Sequence, residues 1–191
     1  MEEIKEKKKQ KYVTFMSGKE YFGLKIEYVN EIIVAQEITS IPETEDYIKG
    51  LINLRGKIIP VIDVRLRFKQ EPFEYDDRTC IIVIKVDGTE VGLIVEKIAE
   101  VVEIADDNLI DAPTLGKTEK SKAQKDRYVY AIGKVGDSVK LLLDPQKLLN
   151  DDLVTLEQVA ESADASEIIL QHTLANNRDE KEGYENEQSN N

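Results

Sequence analysis

The sequence predicts a mainly β protein of the small-barrel or sandwich class. About ten short apolar runs, rich in Val, Ile, Tyr and Phe, are separated by turn signals roughly every 8 to 12 residues. A polar segment near residues 70–78, which carries Pro72, divides these runs into two groups of similar size. Because 41% of the residues are hydrophobic, the chain has enough apolar side chains for a real core.

Five strands and two short helical segments are predicted before residue 70. The strands are expected at Tyr12–Phe15, Tyr21–Leu24, Glu31–Ala35, Leu51–Leu54 and Lys57–Ile62. One helical turn is expected between Ile26 and Asn30, and residues 38–47, which include Pro42, should form a loop. A short helix is predicted at Val64–Phe68, because Asp63 can cap its free backbone N–H groups.

The second half repeats the pattern of strands and tight turns. Strands are expected at Thr79–Val86, Val91–Val95, Ile98–Glu103, Tyr128–Val135 and Val139–Leu143. Asp87-Gly88 predicts a type I′ hairpin, which needs positive φ at both central residues, and Gly136-Asp137 predicts another turn. Residues 112–125 should be a loop, and a helix should start at Pro145 with Asp144 as its cap.

The charge of the chain is concentrated at its C-terminal end. The formal net charge is −12, and the segment from Asn150 onward holds eleven acidic residues against Arg178 and Lys181. One or two helices are expected within residues 151–175, and the polar residues 176–191 are expected to be a disordered tail. This acidic balance argues against nucleic acid and anionic membranes as partners.

No catalytic or cofactor-binding constellation is recognisable. His172 is the only histidine and lies in the tail, while Cys80 lies in an apolar strand and is interpreted as a small core residue. No glycine-rich phosphate motif and no metal-ligand spacing is present in the sequence. The sequence also shows no secretory signal, no disulfide pair and no apolar run long enough to span a membrane, so a cytoplasmic, non-enzymatic protein without cofactors is expected.

The most informative segment is the run from Gly50 to Phe68. It joins two apolar strands through Asn53-Leu54-Arg55-Gly56, where Asn and Gly suit a tight or bulged connection. Pro60 is expected at a sheet edge or bulge, because it has no N–H to donate. A guanidinium against apolar residues needs a carboxylate, so Arg55 is expected either to pair internally or to contact a partner.

Four segments of the chain resemble the CheW family of chemotaxis coupling proteins in order and spacing. The central segment, Tyr47–Phe68, carries the Asn-Leu-Arg-Gly motif, and together the segments place the resemblance on residues 11–150. The other three are Tyr21–Ile32, Val91–Val101 and Leu141–Leu149.

The resemblance implies a fold of two five-stranded SH3-like barrels packed side by side, with strands that can be exchanged between them. It also implies a non-catalytic adaptor that couples the cytoplasmic tips of chemoreceptors to the regulatory domain of the histidine kinase CheA. Two alternatives are a truncated receiver-linked relative and the regulatory module of a kinase. The 41 residues after Asn150 are too short for a receiver domain, and no nucleotide-binding segment is found.

The resemblance further implies two sets of contact residues. The family's receptor-binding positions fall on Val29, Glu31, Gly50 and Arg55 of this sequence, with Arg55 associated with Glu31. The kinase-facing positions are less bound to motifs and fall on Ile33, Val34 and Ile41.

Overall fold

The computed structural model describes residues 8–112, 127–149 and 152–162. The β-strands in these ranges are β1 (Lys9–Ser17), β2 (Glu20–Lys25), β3 (Val29–Val34), β4 (Ile48–Leu54), β5 (Lys57–Asp63), β6 (Cys80–Val86), β7 (Thr89–Val95), β8 (Lys97–Ala105), β9 (Leu109–Asp111), β10 (Val129–Val135) and β11 (Ser138–Leu143). The α-helices are α1 (Val64–Arg67), α2 (Pro145–Leu149) and α3 (Leu153–Ser162), and 3-10 turns lie at Ile26–Tyr28 and Asp106–Asn108.

The strands form two sheets, which confirms the predicted mainly β fold of two small SH3-like units. Sheet A has six strands in the order β8-β1-β2-β11-β10-β9, and sheet B has five in the order β3-β6-β7-β5-β4. Each sheet contains one parallel pairing, β2 with β11 in sheet A and β5 with β7 in sheet B. The other pairings within the sheets are antiparallel, as expected for strands joined by short hairpins.

The two sheets do not follow the order of the chain. The first two strands, β1 and β2, belong to sheet A together with β8 to β11, while β3 to β7 form sheet B. Residues 70–78 therefore connect β5 to β6 within sheet B, and they do not separate the two sheets as the polar composition predicted. The reason is the parallel pairing of β2 with β11, which local sequence patterns do not reveal.

The local signals for caps and turns are found where they were expected. Asp63 Oδ1 accepts hydrogen bonds from the backbone N–H groups of Arg65 (2.8 Å) and Leu66 (3.1 Å) at the start of α1. Asp144 Oδ1 accepts from the N–H of Gln146 (3.0 Å) at the start of α2. Asp87 and Gly88 have φ of 49° and 94°, so the β6–β7 hairpin has the type I′ turn that its sequence predicted.

One hydrophobic core joins the two sheets. Phe15 and Phe22 of sheet A continue into Phe68 after α1 and into Tyr128, with ring centroids 4.8–5.9 Å apart. These rings pack with buried apolar residues of sheet B, including Ile62, Ile82, Ile84 and Leu93. Each sheet also has its own smaller cluster, which in sheet B is formed by Ile52, Ile59, Val61, Ile81, Val83 and Ile94. We call this cluster of six residues the sheet B core.

Helix α3 lies within the residue range predicted for a C-terminal helix and packs on β5 and β7. Leu156 is fully buried in the core between the sheets, and the backbone carbonyl of Asp152 accepts from the N–H of Leu156 at 2.7 Å. The remaining tail predictions, including His172 and the disordered segment 176–191, fall outside the described residues.

A buried arginine links α1 to the start of α3. The Arg67 side chain is 7% exposed and lies 2.9 Å from Oδ2 of Asp152, while its Nε and Nη2 donate to the carbonyl of Leu148 at 3.1 Å. The rings of Tyr47 and Tyr128 lie 4.6 and 5.0 Å from its guanidinium carbon. Oδ2 of Asp152 lacks a partner in hydrogen-bonding geometry, so the contact between the two charges is an ion pair without a directed hydrogen bond.

Tyr47 completes this cluster from the loop before β4. Its hydroxyl donates to Oδ1 of Asp152 at 2.6 Å. Burial, together with this hydrogen bond to a carboxylate, raises the pKa of Tyr47 well above its ordinary value. Tyr47 therefore remains a neutral donor across the physiological pH range.

Candidate functional site

The β4–β5 turn presents Arg55 at the surface. Arg55 and Gly56 are its two central residues, with φ of 55° and 86°, which is the type I′ pattern. Asn53 supports the turn through its side chain, since its Oδ1 accepts from the N–H of Gly56 at 2.8 Å. The left-handed positions are therefore Arg55 and Gly56, whereas Asn53 remains in the strand.

Arg55 forms a two-pronged ion pair with Glu31 of β3. Nη2 lies 2.8 Å from Oε2 and Nη1 lies 3.4 Å from Oε1. The Arg55 side chain is 78% exposed, whereas that of Glu31 is 29% exposed. The expected pairing of these residues is thus confirmed, and the carboxylate holds the guanidinium in an orientation open to solvent.

Glu31 is positioned by a bulge in β3. Val29 pairs with Ile84 and Glu31 with Val83, so Asn30 is the extra residue between them. Val83 belongs to the sheet B core, and Ile33, two residues after Glu31, packs against the same core. Glu31 therefore lies at the end of the sheet B core. Although β3 and β4 are the two edge strands of sheet B, the ion pair places Glu31 next to the β4–β5 turn.

Gly50 is fixed by backbone packing. Its φ is 136°, and a Cβ atom there would lie 2.0 Å from the carbonyl oxygen of Thr39. Thr39 and Leu51 exchange backbone hydrogen bonds of 2.9 Å, which hold the loop before β4 against that strand at Thr39. Gly50 therefore allows the loop before β4 to approach the strand closely. Its place near the site follows from this packing of the backbone.

Replacing Gly50 with alanine is expected to destabilise the protein by about 2–4 kcal/mol, because the backbone of Thr39 must move and the positive φ is strained. The loss should appear as a fall of roughly 5–15 °C in thermal unfolding of a chain of this size. Gly136→Ala is the matched control: its φ is also positive, at 58°, but a Cβ there meets nothing within 4 Å. A Gly50→Ala protein no less stable than Gly136→Ala would contradict this account.

The other predicted contact residues lie on different faces. Val29 is half-buried and packs against the core between the sheets. Ile33 and Val34 are neighbours in a strand and point to opposite faces, Ile33 toward the sheet B core and Val34 to solvent with 64% exposure. Ile41 is half-buried in the loop before β4. Ile33 and Val34 therefore do not present one continuous apolar surface.

A second charged group lies beside the Arg55–Glu31 pair and was not recognised in the sequence. Nζ of Lys57, the first residue of β5, lies 2.8 Å from Oε2 of Glu90 on β7. Nδ2 of Asn30 donates to Oε1 of Glu90 at 3.1 Å. The spacing of Lys57 two residues after Arg55 was the one available signal, but the partner could not be identified without the fold.

The described side chains of the site are paired charges at the surface, an arrangement suited to contact. Within the described ranges, no group of three or more His, Cys, Asp or Glu side chains is placed to hold a metal ion. Cys80 is half-buried, and its Sγ donates to the backbone carbonyl of Arg78. Among the described helices, none has the length and apolar character needed to cross a membrane.

Comparison with known proteins places this chain in a family. The chemotaxis protein CheW of Klebsiella aerogenes is 32% identical over 154 residues, which cover 80% of this chain and 90% of that protein. The chemotaxis protein CheW of Bacillus subtilis is 39% identical over 105 residues, covering 54% of this chain and 67% of that one. The crystal structure of the scaffolding protein TtCheW from Thermoanaerobacter tengcongensis shares 34% identity and a TM-score of 0.64, covering 72% of this chain and 90% of that one.

The match at the level of the family covers most of the chain. The family model described as the CheW-like domain matches residues 11–153. This range contains both sheets except the first two residues of β1, includes the Arg55–Glu31 pair, and ends at the first residue of α3. The chain therefore belongs to the CheW family.

Proposed function

We propose that this protein is a non-catalytic adaptor of bacterial chemotaxis, which couples the cytoplasmic tips of chemoreceptors to the histidine kinase CheA. Its relatives are named chemotaxis proteins, and TtCheW is named a scaffolding protein. An adaptor works through stable contact surfaces, and the paired surface charges of the candidate site are of this kind. It acts in the cytoplasm, where both proposed partners present their binding regions.

The observation that carries this proposal is the exposed, oriented guanidinium of Arg55. An arginine held by a carboxylate on one side, and open to solvent on the other, keeps free N–H donors for a partner at little entropic cost. Arginine is also among the residues that most often dominate binding energy at protein interfaces. Val29, Glu31, Gly50 and Arg55 together form the proposed receptor-binding site, with Val29 and Gly50 acting through the shape of β3 and β4.

The proposed kinase contact is apolar and lies elsewhere on sheet B. Val34 is the exposed member of this set, and Ile32, which shares its face of β3, is 40% exposed. Ile33 and Ile41, the other two residues of this set, are half-buried. A modest apolar strip on an edge strand suits contact with another small β barrel.

Reconstitution tests the proposal directly. The full chain is mixed with CheA and chemoreceptor-containing membranes from the same organism, and CheA autophosphorylation is measured with and without the adaptor. We expect kinase activity to rise only when all three components are present. No increase over CheA with receptors alone would contradict the coupling function.

A further inference from the structure

The Lys57–Glu90 pair lies on the same face of sheet B as the Arg55–Glu31 pair. Lys57 precedes Ile59 by two residues, and Ile59 belongs to the sheet B core. Glu90 precedes Gly92 by two residues, and a Cβ at Gly92 would touch Val61 and Ile81 of the same core. Since alternate residues of a strand share a face, Lys57 and Glu90 both lie at the end of the sheet B core, as Glu31 does.

Asn30 joins the two pairs into one group. It directly precedes Glu31 in β3, and its side chain donates to Glu90. Lys57 follows Arg55 by two residues across the β4–β5 turn. Five polar side chains from β3, β5, β7 and this turn thus cover one end of the sheet B core.

In both pairs the side chain of the cation is much more exposed than that of the anion. The Lys57 side chain is 60% exposed and that of Glu90 is 17% exposed, which repeats the contrast between Arg55 and Glu31. The two carboxylates are therefore partly withdrawn from solvent, and the surface shows a partner two positive groups. Such a surface is notable in a chain whose formal net charge is −12.

We infer that Arg55 and Lys57 form a two-cation platform that binds a carboxylate-bearing face of the receptor tip. This inference rests on the proposed function and extends it, because it adds Lys57 to the site and names the chemistry of the partner. Glu31, Glu90 and Asn30 are positioning residues, which hold the two cations toward the partner. The complementary charges also guide the encounter and fix the register of the complex.

Binding of a soluble chemoreceptor cytoplasmic fragment to the full chain, measured by titration calorimetry, tests the platform. Lys57→Gln is expected to weaken binding about ten-fold, since a hydrogen bond to a charged group is lost. The loss of affinity between about 0.05 and 0.3 M salt should also be smaller for Lys57→Gln than for the unmodified protein. Lys134→Gln is the control, because Lys134 is exposed on β10 of sheet A and should leave affinity unchanged.

A charge exchange separates recognition from mere stability. In the double variant Lys57→Glu with Glu90→Lys, an ion pair of exchanged charges can form. Its unfolding temperature should therefore be close to that of the unmodified protein. The exposed charge is now negative, so binding should remain at least about ten-fold weaker. Affinity restored to within about two-fold would show that only the internal pair matters and would overturn the inference. Absence of binding by the unmodified protein would instead overturn the proposed function, and the platform with it.

Discussion

Replacing Arg55 with alanine is expected to weaken association with chemoreceptor tips at least about 30-fold and to leave the fold intact. The loss of affinity follows from removal of an exposed guanidinium that Glu31 already holds in place. The fold should persist because alanine and arginine incur similar strain at the φ of 55° in this turn. Binding is measured by co-sedimentation with receptor-containing membranes, and stability by thermal unfolding.

Two further variants determine how Arg55 acts. Arg55→Lys keeps the charge but loses the planar fork, so its affinity should fall between those of the alanine variant and the unmodified protein. Glu31→Gln should weaken binding less than Arg55→Ala, since the guanidinium remains but is less firmly oriented. If Arg55→Ala instead lowers the unfolding temperature by several degrees and leaves receptor association unchanged, then Arg55 is a structural residue and the receptor site lies elsewhere.

The features predicted correctly from sequence are those set by neighbouring residues. Asp63 and Asp144 cap helices that begin one residue later, and Asp87-Gly88 forms a tight turn between its own two strands. Each depends on backbone conformations that a few adjacent side chains can fix. The prediction for Pro60 is wrong: it lies at neither a sheet edge nor a bulge but in regular register with Leu51, in β5 between β7 and β4, just before the residues that pair with β7.

The features that sequence did not reveal depend on distant contacts. The pairing of β2 with β11 joins residues near opposite ends of the described chain. The close approach of Thr39 to Gly50 requires a loop to fold back onto β4, which no local pattern shows. The polar stretch at residues 70–78 looked like a boundary for the same reason, because composition records exposure and not the pairing of strands.

The candidate site divides in the same way. The chemistry of Arg55 alone left open whether it pairs internally or contacts a partner, and the family resemblance supplied Glu31. The structure shows that both can hold, since the pair forms and most of the arginine stays exposed. Lys57 and Glu90 lie near the starts of β5 and β7, and only the parallel pairing of these two strands brings them together.

The burial of Arg67 also depends on distant contacts. Its neighbours in sequence, which include the cations Arg65 and Lys69, give no local sign that it is buried. In the structure it is buried between Tyr47 and Tyr128, with Asp152 as its countercharge. A buried charge without its partner is strongly destabilising, so this cluster makes the start of α3 part of the fold.

Asp152→Ala is therefore expected to destabilise the protein by about 3–5 kcal/mol, because it leaves the buried guanidinium of Arg67 without a countercharge. The change also removes the acceptor of the hydroxyl of Tyr47, a half-buried residue, which leaves a second polar group without its partner. In thermal unfolding this corresponds to a fall of roughly 6–20 °C. Hydrogen exchange should show early loss of protection at the amide of Leu156, whose acceptor is the backbone carbonyl of residue 152.

Two comparisons establish that burial of the charge is the cause. Glu103→Ala breaks the ion pair of Glu103 with Lys11, whose side chains are 50% and 58% exposed, and should cost under about 1 kcal/mol. The double variant Arg67→Met with Asp152→Ala removes both charges and should be less destabilised than the sum of its single variants. Additive losses in the double variant would mean that the two residues act independently. In that case packing of α3, and not the ion pair, would hold the C-terminal helix against the two sheets.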